Sequence, residues 1–297
     1  MLEDIRAYQP ITPLLATSGQ PTEAQIKAIA RAGFEVVVNL GLNDAEYALP
    51  DEASSVAQTG MDYVHLAVPW TAPNREHFEQ FCAAMQTNAG RKIYVHCVAN
   101  MRTSVFVALY RSIYLGELRA YTFAKVQQIW SPNERWQKFI ESVFADSAPM
   151  VRREDPGDER FIHQVVAAAF GRNDEAQVVA RLRAAEMLPV SWVAVRAGEL
   201  VGHVACSPVT LTPPNARWNG VGLGPLAVQP EQQRQGLGDK LVRAALQDSR
   251  EQGFSTCVVL GSPAYYTRFG FGIASAMGLR NTYGVDAEFM AQTLCLM

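Results

Sequence analysis

Twice along this chain a strand-forming run turns into a helix through one short corner. In the first, IYVHC (93–97) passes through VANM into RTSVFVALYRSIYLG. In the second, PLAV (225–228) passes through QPEQQRQGLG into DKLVRAALQDSREQG. A strand followed directly by a helix is the repeating unit of an α/β layer, in which the helix packs back on the sheet. That excludes an all-helical bundle and a pure β-sandwich.

The rest of the chain supports the same class. Thr22 with Gln25 is a capping-box signature opening the helix EAQIKAIARAG. EVVVNL (35–40) and YVHLAV (63–68) read as buried strands. Phe78, Phe81, Cys82 and Met85 recur at helical spacing. RTSVFVALYRSIYLG is rich in β-branched and aromatic residues but too long for one strand, so it reads as a buried helix. Later, HQVVAAAF and AQVVARLRAA read as amphipathic helices. SWVAVRAGELVGHVACSPVTL reads as a hairpin turning at Ala197–Gly198, and TCVVLG as a further strand.

The chain has 297 residues. At ~100–200 residues per domain that length predicts two. ADSAPMVRREDPGD (145–158) is polar, carries two prolines and separates the two patterned stretches. The expected division is 1–147 and 148–297. The first domain is expected to be an α/β sandwich with a mainly parallel sheet. The second is expected to be mixed α+β, a meander feeding a βαβ-like unit.

Charge and cysteine usage narrow the function. The net charge is −3, with no basic stripe, so no nucleic-acid partner is expected. Cys82, Cys97, Cys206, Cys257 and Cys295 are scattered, with no zinc-type spacing, which predicts reduced thiols and no metal. MLEDIRAYQP lacks the pattern of a secretory leader, and no apolar run nears the ~18–20 residues that span a bilayer. The expectation is a cytoplasmic protein without a membrane partner.

The first corner has a chemical reading. A thiol at a helix N-terminus feels the positive end of the dipole, which favours the thiolate. The free N–H groups there cradle phosphate, and an Arg in the first turn can grip two phosphoryl oxygens. VHCVANMRTS resembles the active-site loop of the tyrosine/dual-specificity phosphatase superfamily, and SGQPTEAQIKAIARAGFEVVVNL resembles a bacterial branch of it. The resemblance spans about residues 10–145. It implies Cys97 as nucleophile, Arg102 as phosphate clamp and Thr103 as hydroxyl partner of the thiolate or leaving group. Val98, Ala99, Asn100, Met101 and Arg102 would form the phosphate cradle.

Two departures stand out. The superfamily pattern is usually H-C-x-x-G-x-x-R, whereas only Val98–Met101 separate Cys97 from Arg102, and Asn100 stands where Gly is usual. Asn tolerates positive φ, so it can replace the Gly. Losing one residue at a helix start rotates the rest of the helix by ~100°, which would turn Arg102 from the phosphate unless the loop compensates. PWTAPNREHFEQ also carries no Asp to act as general acid, and Glu76 is the nearest carboxylate. The competing reading is a non-catalytic module that binds a phosphorylated ligand or a partner and regulates the second domain.

At the second corner, Gln233, Gly236 and Gly238 form Q-x-x-G-x-G at a helix start. Glycines allow close backbone approach, and the free amides suit a pyrophosphate. The spacing is wrong for a nicotinamide fold. The segment resembles motif A of the GNAT N-acetyltransferase superfamily. VRREDPGDERF, GELVGHVACSPV, GLGPLAV and VVLGSPAYYTRFGFGIAS resemble the same bacterial branch in the same order. The resemblance implies acetyl-CoA as co-substrate. Leu226, Ala227 and Val228 would hold the pantetheine arm, and Gln233, Arg234, Gln235, Gly236, Leu237 and Gly238 the pyrophosphate. Tyr266 would protonate the departing CoA thiolate, with Tyr265 and Tyr266 as core aromatics the alternative. No general base stands out: Glu199 sits at a hairpin turn, and His203 reads as a structural residue in an apolar strand. The acceptor is left open between a small-molecule amine and a protein amine.

Overall fold

Strand β5 (Ile93–His96) is central to the first of two sheets, and the loop after it owes its setting to that position. The structure is a computed structural model that describes residues 1–43, 46–210 and 219–294. It divides into two units, Met1–Ala148 and Pro149–Met297.

In chain order the first unit contains β1 (Gln9–Thr12), β2 (Leu15–Ser18), α1 (Glu23–Arg31), β3 (Val36–Asn39), α2 (Glu52–Ala57), β4 (Asp62–His65) and α3 (Arg75–Thr87). After β5 come α4 (Met101–Tyr114), α5 (Arg119–Gln127) and α6 (Glu134–Ala145). The strand order is β1-β2-β5-β3-β4. Strands β2, β5, β3 and β4 run parallel, and only edge strand β1 is antiparallel. Strands β2, β3 and β5 are buried at every position, which is why EVVVNL and IYVHC read as continuous runs rather than alternating ones.

Helix α1 opens on the reciprocal Thr22–Gln25 cap. Helix α3 buries Phe78, Phe81, Cys82 and Met85, the expected stripe. Helix α4 buries ten of its 14 residues, so packing overrides the poor intrinsic propensity of its β-branched and aromatic residues. Phe78, Phe81, Trp136 and Phe139 surround its Phe106. Strand β4 stops at His65, short of the expected 63–68, and β1 and β2 carried no clear sequence signal.

The second unit runs β6 (Met150–Arg153), α7 (Glu159–Phe170), α8 (Asp174–Ala184), β7 (Val190–Arg196), β8 (Glu199–Val209), β9 (Gly220–Val228), α9 (Leu237–Glu251), β10 (Thr256–Leu260), α10 (Pro263–Tyr266), β11 (Gly272–Ile273) and β12 (Phe289–Thr293). Its sheet order is β11-β12-β10-β9-β8-β7-β6. Strands β7 and β8 form the hairpin expected at Ala197–Gly198, and both turn residues take positive φ, as a tight hairpin turn requires. Strands β9 and β10 are parallel, joined by α9, which is the βαβ unit.

The core of this unit gathers Val204, Leu223, Leu241, Val242, Cys257 and Phe271, among others, between α9 and the sheet. Cys82, Cys97, Cys206 and Cys257 are free and buried. Cys295 and Leu211, the end of the expected second hairpin strand, lie outside the described residues. Among the described residues no helix is long and apolar enough to cross a membrane.

Candidate active sites

The first site forms where β5 ends. Cys97 follows the last strand residue and is 1% exposed. Asn100 caps α4 in the left-handed conformation, φ 61°, in the place where the superfamily pattern has Gly. Its side-chain amide donates to Ala7 O at 2.7 Å and to Thr17 Oγ1 at 3.0 Å, so β2 and the segment before β1 hold the bend.

The amides of Val98, Ala99, Met101, Arg102 and Thr103 find no backbone acceptor among the described residues. They form a row of free donors beside the thiol, the arrangement that suits an oxyanion. The chain between β2 and α1 presses on the loop: Gln20 N donates to Val98 O at 3.2 Å. A Cβ on Gly19 would meet that same oxygen at 2.9 Å, so only glycine fits there.

Arg102 shows how the shortened loop is accommodated. Its Nη1 donates to the carbonyls of Leu40 at 2.8 Å and Val68 at 3.0 Å, just beyond β3 and β4. Its Nε and Nη2 form no hydrogen bond among the described residues. The guanidinium is thus pinned by one nitrogen, and its other edge is uncommitted. Thr103 is fully buried, and its hydroxyl has no partner among the described residues. Ser104 donates to Met101 O and accepts from Trp130 Nε1. Glu76 lies exposed in the first turn of α3 and accepts from Gln80.

A buried polar cluster next to Cys97 gave no sequence signal. His96 Nε2 and Glu52 Oε1 are 2.8 Å apart, in an ion-pair contact without hydrogen-bond geometry, and both residues are buried. Asn39 Nδ2 donates to Glu52 Oε2 at 2.9 Å and to Tyr63 Oη at 3.0 Å. Burial by itself raises the Glu52 carboxyl. His96 beside it, helped by Gln20 and His65, outweighs that and holds it below the usual value. Three parallel strands and the start of α2 bring this cluster together from residues far apart in sequence.

The second site forms where two strands part. β10 pairs with β9 only at Thr256–Gly220, Cys257–Val221 and Val258–Gly222. β9 continues to Val228 with only β8 beside it. The edge of Leu226–Val228 facing away from β8 is therefore unpaired, and it runs into the start of α9. The amides of Gly236, Leu237, Gly238 and Asp239 find no backbone acceptor among the described residues.

A cleft of about 530 Å³ opens over them, walled by Leu226, Val228, Arg234, Gly238, Tyr265 and Arg268, and also touched by Gln233, Gly236 and Leu237. Ala227 is buried in the strand. The side-chain oxygen of Gln235 accepts from Arg196 Nη1, which ties the loop to β7. The Asp239 carboxylate is offset by Arg268 at 3.3 Å, and Arg268 also lies over the Tyr265 ring.

Tyr266 is 8% exposed and lines a neighbouring cleft of about 1010 Å³ that shares Leu226 and Tyr265 with the first. Burial, with smaller effects from Cys257 and Cys206, pushes its phenol up to about 12. Burial and then Asp239 push Tyr265 up as well. Both phenols stay protonated at neutral pH. His203 is fully buried, 3.0 Å from Ser191 Oγ, and burial with Arg183 lowers it to about 3. It is a neutral structural histidine. Glu199 is exposed at its turn.

A parallel-stranded α/β unit with a thiol in an amide-lined corner precedes a mixed unit whose central strands splay over a glycine-rich helix start. Comparison with known proteins gives these classes their families. Residues 150–274 match the family model described as acetyltransferase (GNAT) domain, and residues 8–140 the model described as DSP-PTPase phosphatase fused to NAD+ kinase. The uncharacterized N-acetyltransferase YhbS of Escherichia coli K12 is 35% identical over 147 residues, 49% of this chain and 87% of that protein.

Among solved structures, a DUF442 protein from Shewanella putrefaciens CN-32 is 38% identical over 50% of this chain and 94% of its own, with a TM-score of 0.46. E. coli YhbS in complex with CoA is 34% identical over 50% of this chain and 84% of its own, with a TM-score of 0.47. The chain belongs to the GNAT family of N-acetyltransferases through its second half, and its first half is phosphatase-like, matching the DSP-PTPase model.

Proposed function

We propose that the second unit transfers the acetyl group of acetyl-CoA to an amine, using the splayed edge of β9 and the start of α9. The parting of β9 from β10 after Gly222 and Val258 carries this reading. It leaves the edge of Leu226–Val228 that faces away from β8 open to the amide groups of pantetheine, as a missing strand would fill it, with Val228 O already accepting from Gln233 Nε2 at 3.1 Å. The amides of Gly236–Asp239 and the loop from Gln233, with Arg234 beside them, offer a pyrophosphate cradle.

Acetyl-CoA would supply the acetyl thioester. The amine nitrogen attacks the carbonyl carbon, the C–S bond breaks, the amine gives up a proton to solvent, and the Tyr266 phenol protonates the CoA thiolate before regaining a proton from water. A buried phenol held at about 12 keeps its proton until the thiolate leaves. The test is acetyl-CoA binding by calorimetry to the full chain and to Gly236→Glu. The wild type should bind, and the variant should not, because it puts bulk and negative charge at the cradle.

We further propose that the Cys97 corner binds a phosphoryl group and that Cys97 attacks it. The free amides beside the thiol and the uncommitted edge of Arg102 support this. In the reaction Cys97 Sγ bonds to phosphorus as the P–O ester bond breaks and the leaving oxygen takes its proton from solvent; water then attacks phosphorus, the S–P bond breaks and phosphate is released. No carboxylate of the 69–80 segment is placed to deliver that proton, so an activated leaving group such as p-nitrophenolate is the substrate of choice for the test. Turnover should vanish in Cys97→Ser. Survival of turnover in that variant would leave the corner as a phosphate-binding module. We place both activities in the cytoplasm.

A further inference from the structure

We propose that the acceptor is an amine carried on an apolar body, aliphatic or aromatic, with its nitrogen between Tyr266 and the Asp174–Glu175 wall and its body in the chamber beyond. This rests on the acetyltransferase reading above and names the substrate class of that site.

Three cavities adjoin there. The cofactor cleft shares Leu226 and Tyr265 with the cleft lined by Tyr266. That cleft in turn shares Val178, Leu223, Gly224, Leu260 and Tyr283 with a third chamber of about 770 Å³. The way from the thioester position at Leu226 and Tyr266 into this chamber, along these shared walls, passes through apolar side chains. Val209, Val258, Leu279 and Phe289 extend the apolar lining.

The mouth is unusual for a solvated surface. Phe170, Val178, Leu260 and Tyr283 are 41%, 40%, 48% and 74% exposed; Phe170 lines the Tyr266 cleft and the other three line both cavities. Large apolar side chains left in water around a concave site mark a surface that gains by covering an apolar ligand. Scattered single exposures would carry no such meaning.

Charge selects the ligand's reactive end. Asp174 and Glu175 both line the Tyr266 cleft, and among the described residues Arg172 is the one cation paired with the two of them. Arg172 lowers Glu175, so it stays anionic, and the wall keeps one uncompensated negative charge. That charge attracts an ammonium to the mouth of the transfer slot. Arg280, an exposed residue, also lines the chamber and has no ion pair among the described residues. A second ammonium on the same ligand would meet this cation and an apolar wall. Polyamines and aminoglycosides are therefore disfavoured, because the lining offers a further ammonium a cation and apolar side chains but, among the described residues, no carboxylate.

The experiment measures acetylation by the full chain of tryptamine, phenethylamine and octylamine against spermidine, kanamycin and a lysine-containing peptide, with acetyl-CoA binding measured in parallel. The apolar amines should exceed the polycations in kcat/KM by about tenfold or more. Leu260→Asp and Val178→Asp should lower kcat/KM for tryptamine by a similar factor and leave the acetyl-CoA Kd unchanged. Both positions are exposed, and the unchanged Kd reports that the fold is intact.

Equal or better use of spermidine, kanamycin or the peptide would overturn the proposal. So would tryptamine turnover indifferent to both substitutions, or acetyl-CoA bound with none of the apolar amines acetylated. Absence of acetyl-CoA binding in the wild type would instead overturn the acetyltransferase reading on which it rests.

Discussion

The phenol oxygen of Tyr265 lies 2.6 Å from the point where a Cβ would project from Gly238. That approach locks the start of α9 against α10 and closes one side of the cofactor cleft. Gly238→Ala must push Tyr265 aside. Acetyl-CoA affinity should fall by about tenfold or more, ~1.4 kcal/mol, while the circular dichroism spectrum stays that of the wild type. Unchanged affinity in calorimetry would put the pyrophosphate elsewhere.

Tyr266 offers a separation of binding from chemistry. Tyr266→Phe keeps the packing against Phe269 and Phe271 but removes the proton. We expect kcat to drop by about 10²–10⁴ with little change in acetyl-CoA Kd. Because burial raises the phenol to about 12, the acid form persists through the usual assay range. The wild-type rate should therefore show no falling limb from this group between pH 7 and about 10. A loss of rate in that interval that disappears in Tyr266→Phe would assign it a lower value and a different environment.

Cys97 and Arg102 differ in what their loss should do. Cys97→Ser should abolish p-nitrophenyl phosphate turnover without lowering the melting temperature appreciably. Arg102→Ala should do both, because it strands the carbonyl of Val68 and takes one of two donors from that of Leu40, which Val68 N also reaches at 3.3 Å. At ~1–3 kcal/mol for an unsatisfied buried group, the loss is about 1–3 kcal/mol and several degrees in Tm. Arg102→Lys, which can still reach one carbonyl, should recover part of the stability and little of the turnover. Thermal scans and phosphatase assays on the three variants check this.

His203 makes the stability of the second unit pH-dependent. Its pKa is lowered in the fold from an ordinary 6.5 to about 3. The unfolded chain therefore binds more protons between these values, and stability falls as pH drops from about 6.5 toward 3. Above 6.5 the group contributes no pH dependence. His203→Gln should flatten that limb in denaturation midpoints measured from pH 7 to 4. An unaltered limb would assign it to other groups.

Much of the second site could be read from the chain because its signal is local. Gly236 and Gly238 stand within one turn of the helix they open, and the strand before them is adjacent in sequence. The first corner was legible for the same reason, down to Asn100 taking positive φ. The compensation for its missing residue was not. Arg102 is held by carbonyls 62 and 34 residues away in sequence, and no pattern in VHCVANMRTS announces them. Glu52 stayed hidden as well: it opens a six-residue helix, and its meaning comes from His96, which only β-strand pairing brings near.

Alternating apolar runs, helix caps and turn residues, all short-range, determined from the sequence alone that this chain forms two α/β units with an amide-lined corner in each. Which groups face those corners was decided by tertiary structure. The unpaired edge of β9 exists because β10 diverges from it after three pairs, and the acceptor chamber exists because residues from α8, β9, β10 and the 278–283 segment meet there. Such contacts form between distant parts of the chain, where packing and long-range pairing rather than local propensity set the free energy.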